Sequence, residues 1–175
     1  MIKLNKTLLL FFVIILEGYV VLSCEMLAIR QTIPFVGSGT DTVSIIIAAV
    51  LMPLACGYYF GGRFRATGKK SIRKKLVFNL LVSQVILLIG LSYYSLLTFF
   101  YLLASYGVLN RLALVTIFCL VFVVVPVYLL GQTIPLVSNY FSKEKLSQIT
   151  GRMLFFSTMG SFMGAVFSTI VLMST

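Results

Sequence analysis

Two long stretches without charge dominate this sequence. No charged residue occurs from Leu76 through Asn110, and Arg111 is the only one before Lys143. A bilayer core about 30 Å thick is crossed by a helix of roughly 20 apolar residues, so these stretches are long enough to span it. Hydrophobic residues make up 60% of the chain and charged residues only 10%, which excludes a soluble domain with a polar shell. Lipid is therefore the predicted solvent.

The apolar runs are continuous and do not alternate with polar residues. Backbone polar groups find no water in hydrocarbon, so only helices or closed barrels span it, and continuous runs indicate helices. We predict an all-α, polytopic transmembrane helix bundle that forms a single domain over residues 1–175. The first helix is expected to be retained rather than cleaved as a signal peptide, because its apolar run is long and contains Glu17. The five predicted spans cover residues 8–29, 41–62, 76–100, 112–131 and 153–173.

Turn-forming residues mark the predicted connections. Residues 30–40 contain Pro34 and several glycines between the first two spans, and residues 131–135 end the fourth span. Pro53 and Pro126 lie inside spans. Each removes a backbone hydrogen bond, so we expect both helices to be interrupted or kinked there.

The connection between the second and third spans is strongly basic and contains no acidic residue. Short cationic loops stay on the cytoplasmic side of a membrane, so this loop and the basic N-terminus should share that side. With five spans, every cation except Arg30 and Arg111 then falls in the cytoplasm. This bias predicts a multi-pass protein of the inner (plasma) membrane. The cations of this cytoplasmic basic loop are Arg63, Arg65, Lys69, Lys70, Arg73, Lys74 and Lys75.

The basic loop is expected to act mainly as a topological signal and, in consequence, to attract anionic headgroups at about 1 kcal/mol per cation near the surface. It lacks the interleaved aromatic residues typical of nucleic-acid binding, so no nucleic acid is expected as a partner.

Side chains for catalysis or metal binding are scarce. The chain has no His and only four acidic residues. Cys24, Cys56 and Cys119 are far apart in the sequence, each within an apolar run, and they lack the paired spacing of metal or redox sites. We therefore predict no catalytic residue, no metal site and no cofactor.

Several polar residues nevertheless lie within or beside the predicted spans. An ionised carboxylate at membrane depth is costly unless it is paired, protonated or hydrated, so such residues are functional candidates. Two interpretations remain open: hydrogen bonds between helices, or a site for a ligand or ion. The candidates for this intramembrane polar site are Glu17, Glu25, Arg30, Asn79 and Gln84, with Ser83 as a further hydrogen-bonding group.

Small residues predict where helices pack closely. Gly57 and Gly61 lie near the end of the second span, and Gly160 and Gly164 form a GxxxG spacing in the fifth. Glycine at such positions lets the backbone of another helix approach. Whether the helix facing Gly160 and Gly164 belongs to the same chain or to a partner remains open from the sequence.

Several short motifs follow one another along nearly the whole chain. They are Glu17-Gly18 and residues 25–30 (EMLAIR), 35–39 (FVGSG), 57–63 (GYYFGGR), 131–135 (GQTIP) and 158–165 (TMGSFMGA). Taken in order, they resemble the membrane domain fused ahead of the catalytic domain in bacterial spermidine synthase-like proteins, the polyamine aminopropyltransferases.

The resemblance implies a multi-helix inner-membrane module beside a cytoplasmic domain that transfers an aminopropyl group from decarboxylated S-adenosylmethionine to a polyamine. In that family, the catalytic domain is Rossmann-like and has a glycine-rich, acid-flanked nucleoside loop. The present 175 residues contain no such loop. Catalysis by this chain alone is therefore not expected.

Three functional hypotheses follow. The first is a non-catalytic membrane subunit that anchors or serves a soluble synthase-like partner, which docks on the basic loop and residues 138–152. The alternative is a small transporter or oligomeric channel in which Glu17 and Glu25 bind a cation such as a polyamine; helices broken at Pro53 and Pro126 favour it, because freed carbonyls can line a site. The third is a remnant or one half of a split gene. Besides the lipid bilayer, the expected partners are the soluble protein or further copies of the chain.

Overall fold

The computed structural model of the protein describes residues 2–64, 68–139, 141 and 146–172, and this part of the chain is helical without strands. Two π-helical turns, Cys119–Val123 and Ser168–Leu172, follow α5 and α8. The α-helices are α1 Ile2–Val36, α2 Thr40–Gly62, α3 Lys69–Gly90, α4 Tyr93–Ser105, α5 Arg111–Phe118, α6 Val124–Gly131, α7 Thr133–Ser138 and α8 Leu146–Phe167.

Four helical stretches are each long and apolar enough to cross a bilayer. Most of their surface stays outside the protein core and carries large apolar side chains, as lipid-facing helices do. The protein is therefore a multi-pass, all-α membrane bundle, as predicted. The four stretches are Leu8–Val36, Thr40–Gly62, Arg111–Ser138 and Ser147–Val171.

The predicted span 76–100 is not a single straight helix. α3 and α4 together are apolar enough to cross, but their axes differ by 67° at a short break. α3 ends at Gly90, where an added Cβ would lie 2.6 Å from the Phe122 ring, and Ser92 is extended with ψ 132°. The Gly90–Ser92 pattern matches common helix-ending and helix-starting residues. The sequence predicted one continuous helix here because the apolar run shows no charged residue at the break.

Contacts at the two ends of the bundle show where α3 begins and where the chain lies after α4. The start of α3, with Ile72 and Leu76, packs in a core cluster with Ile14 of α1 and Met153 of α8. We call this the basic end. After α4, residues 109–112 line the same cleft as residues 36–42 between α1 and α2, at the opposite end. The chain therefore runs from the basic end to the opposite end of the bundle between residues 68 and 109, so α3 and α4 are arranged as the two parts of a fifth crossing.

The first connection is shorter than predicted. α1 continues through Arg30 and Pro34 to Val36, so the residues predicted to begin the turn are helical. Proline at this position removes one backbone donor near the helix end, which the last turn tolerates. The Gly37 N–H donates to the Ile33 carbonyl at 2.9 Å, and Gly37 has φ +83°. A glycine in the left-handed region ends the helix.

Other helix boundaries also differ from the predictions. α2 is continuous through Pro53, whereas the π turn Cys119–Val123 precedes Pro126. Proline cannot donate to the preceding turn, and a shifted hydrogen-bond register accommodates that loss. α5, α6 and α7 together form the fourth crossing, Arg111–Ser138, which ends later than predicted, and α8 begins at Leu146, earlier than the predicted residue 153.

Two parallel helix pairs organise the bundle. α1 pairs with α8, and residue numbers increase together along the contact, from Phe11 beside Phe156 to Tyr19 beside Phe167. α2 also runs parallel to the helix pair α6–α7, from Gly57 beside Tyr128 to Gly61 beside Pro135. The helices of both pairs run along the long axis of the bundle, so residues in the middle of these contacts lie at membrane depth.

Candidate intramembrane polar site

Glu17 is buried in the contact between α1 and α8. Its side chain is 2% exposed, and the Ser157 hydroxyl donates a hydrogen bond to Glu17 Oε2 at 3.1 Å. The two residues come from the first and last crossings, so only the tertiary fold brings them together. A hydroxyl donor reduces the cost of placing a carboxyl group at this depth.

Glycines allow α1 and α8 to approach at this point. A Cβ on Gly160 would collide with the Ile15 carbonyl, and one on Gly164 with the Tyr19 carbonyl. Gly18 on α1 meets the Ser157 carbonyl in the same way. The predicted GxxxG surface therefore packs within the chain, which answers the question that the sequence left open.

Serine hydroxyls join the same two helices on the C-terminal side of Glu17. Ser161 Oγ donates to the Gly18 carbonyl at 3.2 Å, and Ser23 Oγ donates to the Gly164 carbonyl at 3.4 Å. Backbone carbonyls exposed by glycine are suitable acceptors for such bonds between helices. Glu17 thus belongs to a ladder of hydrogen bonds along the α1–α8 contact.

A second polar cluster joins α3 to the fourth crossing. Asn79 is 3% exposed, and its Nδ2 donates to Gln132 Oε1 at 3.1 Å and to the Leu129 carbonyl at 3.4 Å. Ser83 Oγ donates to the Pro126 carbonyl at 3.1 Å and to the Asn79 carbonyl at 2.7 Å. These hydrogen bonds supply partners for polar groups that lipid tails cannot hydrogen-bond.

Gln132 is the member of this cluster that the sequence analysis missed. It follows Gly131 inside the GQTIP motif and lies 4% exposed between α6 and α7. The sequence did indicate such a role, because an amide side chain beside an apolar run needs a hydrogen-bond partner when it is buried. It was interpreted only as the end of a helix.

The five candidate residues do not form one site. Glu17 and Asn79 lie in separate clusters, and Gln84 is exposed on the outer face of α3. Glu25 and Arg30 are each half-buried. Within the described residues, neither has a side-chain hydrogen bond or an ion pair. Ser83, one position before Gln84, takes the inward role on α3.

Gly57 and Gly61 lie where α2 meets the fourth crossing. A Cβ on Gly57 would lie 2.5 Å from the Tyr128 carbonyl oxygen, and one on Gly61 would lie 3.0 Å from Gln132 Cα. Gly131 faces them, with 2.7 Å from its ideal Cβ to the Leu54 carbonyl oxygen. Gly131 is therefore a packing residue that the sequence indicated only as the end of a helix.

The cations of the basic loop have different surroundings. The Arg63 guanidinium lies 4.6 Å from the Tyr59 ring centroid, and Lys75 Nζ lies 4.0 Å from that of Phe64. Aromatic faces attract cations at these distances. Lys70, Arg73 and Lys74 are exposed. Arg65 and the side chain of Lys69 lie outside the described residues.

A cleft of about 300 Å³ opens at the basic end between α2, α7 and α8. Tyr58 lines it, together with Asn139 and Thr150. Ser138 and Thr150 approach each other at 3.4 Å between their hydroxyl oxygens. Hydroxyl groups therefore line part of this cleft.

Metal-binding geometry is absent from the described part of the chain, which holds no group of three or more His, Cys, Asp or Glu side chains that could bind an ion. The cysteines Cys24, Cys56 and Cys119 are free thiols. Neither a known protein family, nor a curated protein, nor a solved structure matches this chain.

Proposed function

We propose that the chain is a non-catalytic membrane module that holds a soluble synthase-like partner at the cytoplasmic face of the inner (plasma) membrane. The resemblance to the membrane domain of spermidine synthase-like proteins motivates this function and suggests polyamine-type metabolism as its setting. The proposal assigns the interior polar residues to helix packing and the charged end to partner binding.

The observation that carries the proposal is the use of the interior polar groups. Glu17, Asn79 and Ser83 are buried and hydrogen-bonded to neighbouring helices. Groups that hold helices together in this way favour a scaffold over a substrate path, since a transport path needs polar groups facing an open cavity.

Charge supports the second half of the proposal. Lys70, Arg73 and Lys74 are exposed at the basic end, on the first turns of α3. Residues 146–152 at the start of α8 lie at the same end, where Ile149 packs against the same core cluster as Ile72. A partner with an acidic surface would be attracted here, because complementary charge speeds encounter and orients docking.

Affinity purification of the tagged full-length chain in mild detergent tests the proposal. We expect a soluble synthase-like protein to co-purify and to leave the membrane fraction when the chain is deleted. A triple variant, Lys70→Gln/Arg73→Gln/Lys74→Gln, should release the partner. The matched control, Arg111→Gln at the opposite end, should retain it.

Removing cations could also alter topology, so the orientation of the triple variant must be checked by labelling. A second variant, Arg73→Lys, keeps the charge and should keep the partner bound. An unchanged soluble partner after deletion of the chain would contradict the proposal.

A second candidate function is transport of a small organic cation. The cleft lined by the hydroxyl groups of Tyr58, Ser138 and Thr150 favours it, as does the half-buried Glu25 without a hydrogen-bond partner among the described residues. Uptake of a labelled diamine into cells or vesicles would test it. Glu25→Gln should lower flux at unchanged protein level if Glu25 binds the cation, whereas a scaffold role predicts no uptake above background.

A further inference from the structure

A groove separates α1 from α3 at the basic end. It has a volume of about 340 Å³ and is lined by apolar side chains, with Arg73 as its one charged member among the described residues. α1 and α3 make little direct contact, and Val137 of α7 closes the space between them. The lining residues are Leu9, Leu10, Val13, Ile72, Arg73, Leu76, Val77, Leu80 and Val137.

The length of the groove along α3 fits within the thickness of one bilayer leaflet, next to the headgroups. On α3 it runs from Ile72 to Leu80, which is about 12 Å at 1.5 Å per residue. Its volume falls within the roughly 300–1,000 Å³ of small-molecule pockets. Ile72, Leu76 and Val137 are buried behind it, whereas Leu9 and Val77 form its exposed rims. The rims therefore face the surrounding lipid.

Charge at the groove favours an anion at one end. Arg73 is exposed and lines the groove. In the described part of the chain it has no carboxylate partner. Lys75, by contrast, is turned onto the Phe64 ring. A guanidinium presents a planar fork of donors that matches a phosphate group, and basic pockets between transmembrane helices bind anionic headgroups.

We propose that this groove binds an anionic phospholipid, with one acyl chain between α1 and α3 and the headgroup phosphate against Arg73. The floor of the groove is apolar, so the acyl chain fills it without displacing any polar group. The cation at the mouth then selects negatively charged lipids over zwitterionic ones. This inference shares Arg73 with the partner-binding function proposed above but does not depend on it, because lipid binding is measured on the purified chain without a partner.

Native mass spectrometry of the full-length chain in detergent tests the proposal. Phosphatidylglycerol and phosphatidylcholine with identical acyl chains serve as probes, and phosphatidylglycerol should bind in preference. Arg73→Gln should lower that preference about tenfold, because it removes a charge-assisted hydrogen bond to the headgroup. Lys74→Gln removes the same charge from the same helical turn but does not line the groove, and should lower the preference much less.

A second pair of variants tests the acyl-chain site. Val77→Trp should fill the groove and prevent lipid binding, whereas Phe78→Trp, on the exposed face beside it, should not. Soluble glycerol phosphate should not displace the bound lipid. Equal binding of the two lipids, equal effects of Arg73→Gln and Lys74→Gln, or displacement by glycerol phosphate would overturn the proposal. So would a dimer that Val77→Trp dissociates, which would identify a second copy of the chain as the occupant.

Discussion

Ser157 on α8 donates a hydrogen bond to Glu17 on α1 at 3.1 Å, inside a contact where glycines bring the two backbones together. The first and last crossings are thereby joined at membrane depth by the Glu17 carboxyl group, which is costly to bury there without a hydrogen-bond partner. An acidic residue that suggests a ligand site in the sequence is, in the structure, bonded to a neighbouring helix. The first prediction measures how much this bond stabilises the fold.

Replacing Ser157 with Ala should destabilise the protein. The change leaves a buried acceptor without its donor, which costs about 1–3 kcal/mol. Glu17→Gln preserves the shape of the side chain and should cost less. The measurement is thermal or denaturant unfolding in detergent micelles or nanodiscs. Thr158→Ala, at the neighbouring exposed position, is the control and should be close to wild type. Equal stability of the Ser157→Ala and Thr158→Ala variants would refute the role assigned to the bond.

Gly160→Ala should separate α1 from α8. The new Cβ would collide with the Ile15 carbonyl, and overpacking of this kind costs about 1–3 kcal/mol. Gly151→Ala is a matched control in the same helix, because a Cβ there meets nothing within 4 Å and alanine favours the helix. We expect a lower unfolding temperature for the first variant and an equal or higher one for the second. The reverse order would show that α1 and α8 do not pack as described.

Asn79 and Gln132 should be energetically coupled. A double-mutant cycle with Asn79→Leu and Gln132→Leu should give a coupling of about 0.6 kcal/mol, with an upper range near 1.7 kcal/mol, as found for hydrogen bonds between membrane helices. Gln84→Leu places the same change on the exposed face of α3 and should be neutral or stabilising in lipid. A cycle with no coupling would mean that the two amides do not meet.

Labelling of single cysteines should distinguish five crossings from four. In a background without the native cysteines, Ser38→Cys and Leu109→Cys should react with an impermeant reagent from the same side, because residues 36–42 and 109–112 share one cleft. Lys70→Cys should react only from the opposite side. If Leu109→Cys were labelled from the side of Lys70→Cys, α3 and α4 would form a re-entrant loop. Labelling of intact cells would also show which side is cytoplasmic.

The sequence by itself determined the class of fold. Apolar runs such as Leu112 to Leu130 must be helical in lipid because no other local structure satisfies their backbone, and this requirement depends only on length and composition. The same requirement predicted the positions of the apolar helices, although α1 and α7 end later, and α3 and α8 begin earlier, than the predicted spans. It could not find the break at Gly90–Ser92, where the Phe122 ring from a distant helix approaches the backbone.

The tertiary structure decided how the polar residues are used. Asn79, Ser83 and Gln84 are equivalent in the sequence, yet the rotation of α3 turns the first two toward the fourth crossing and leaves Gln84 exposed. In a helix that is apolar on every side, hydrophobicity does not specify which face is buried. That face is selected by the neighbouring helices. They approach closely where glycines allow it and where backbone carbonyls can accept hydrogen bonds from Asn79 and Ser83.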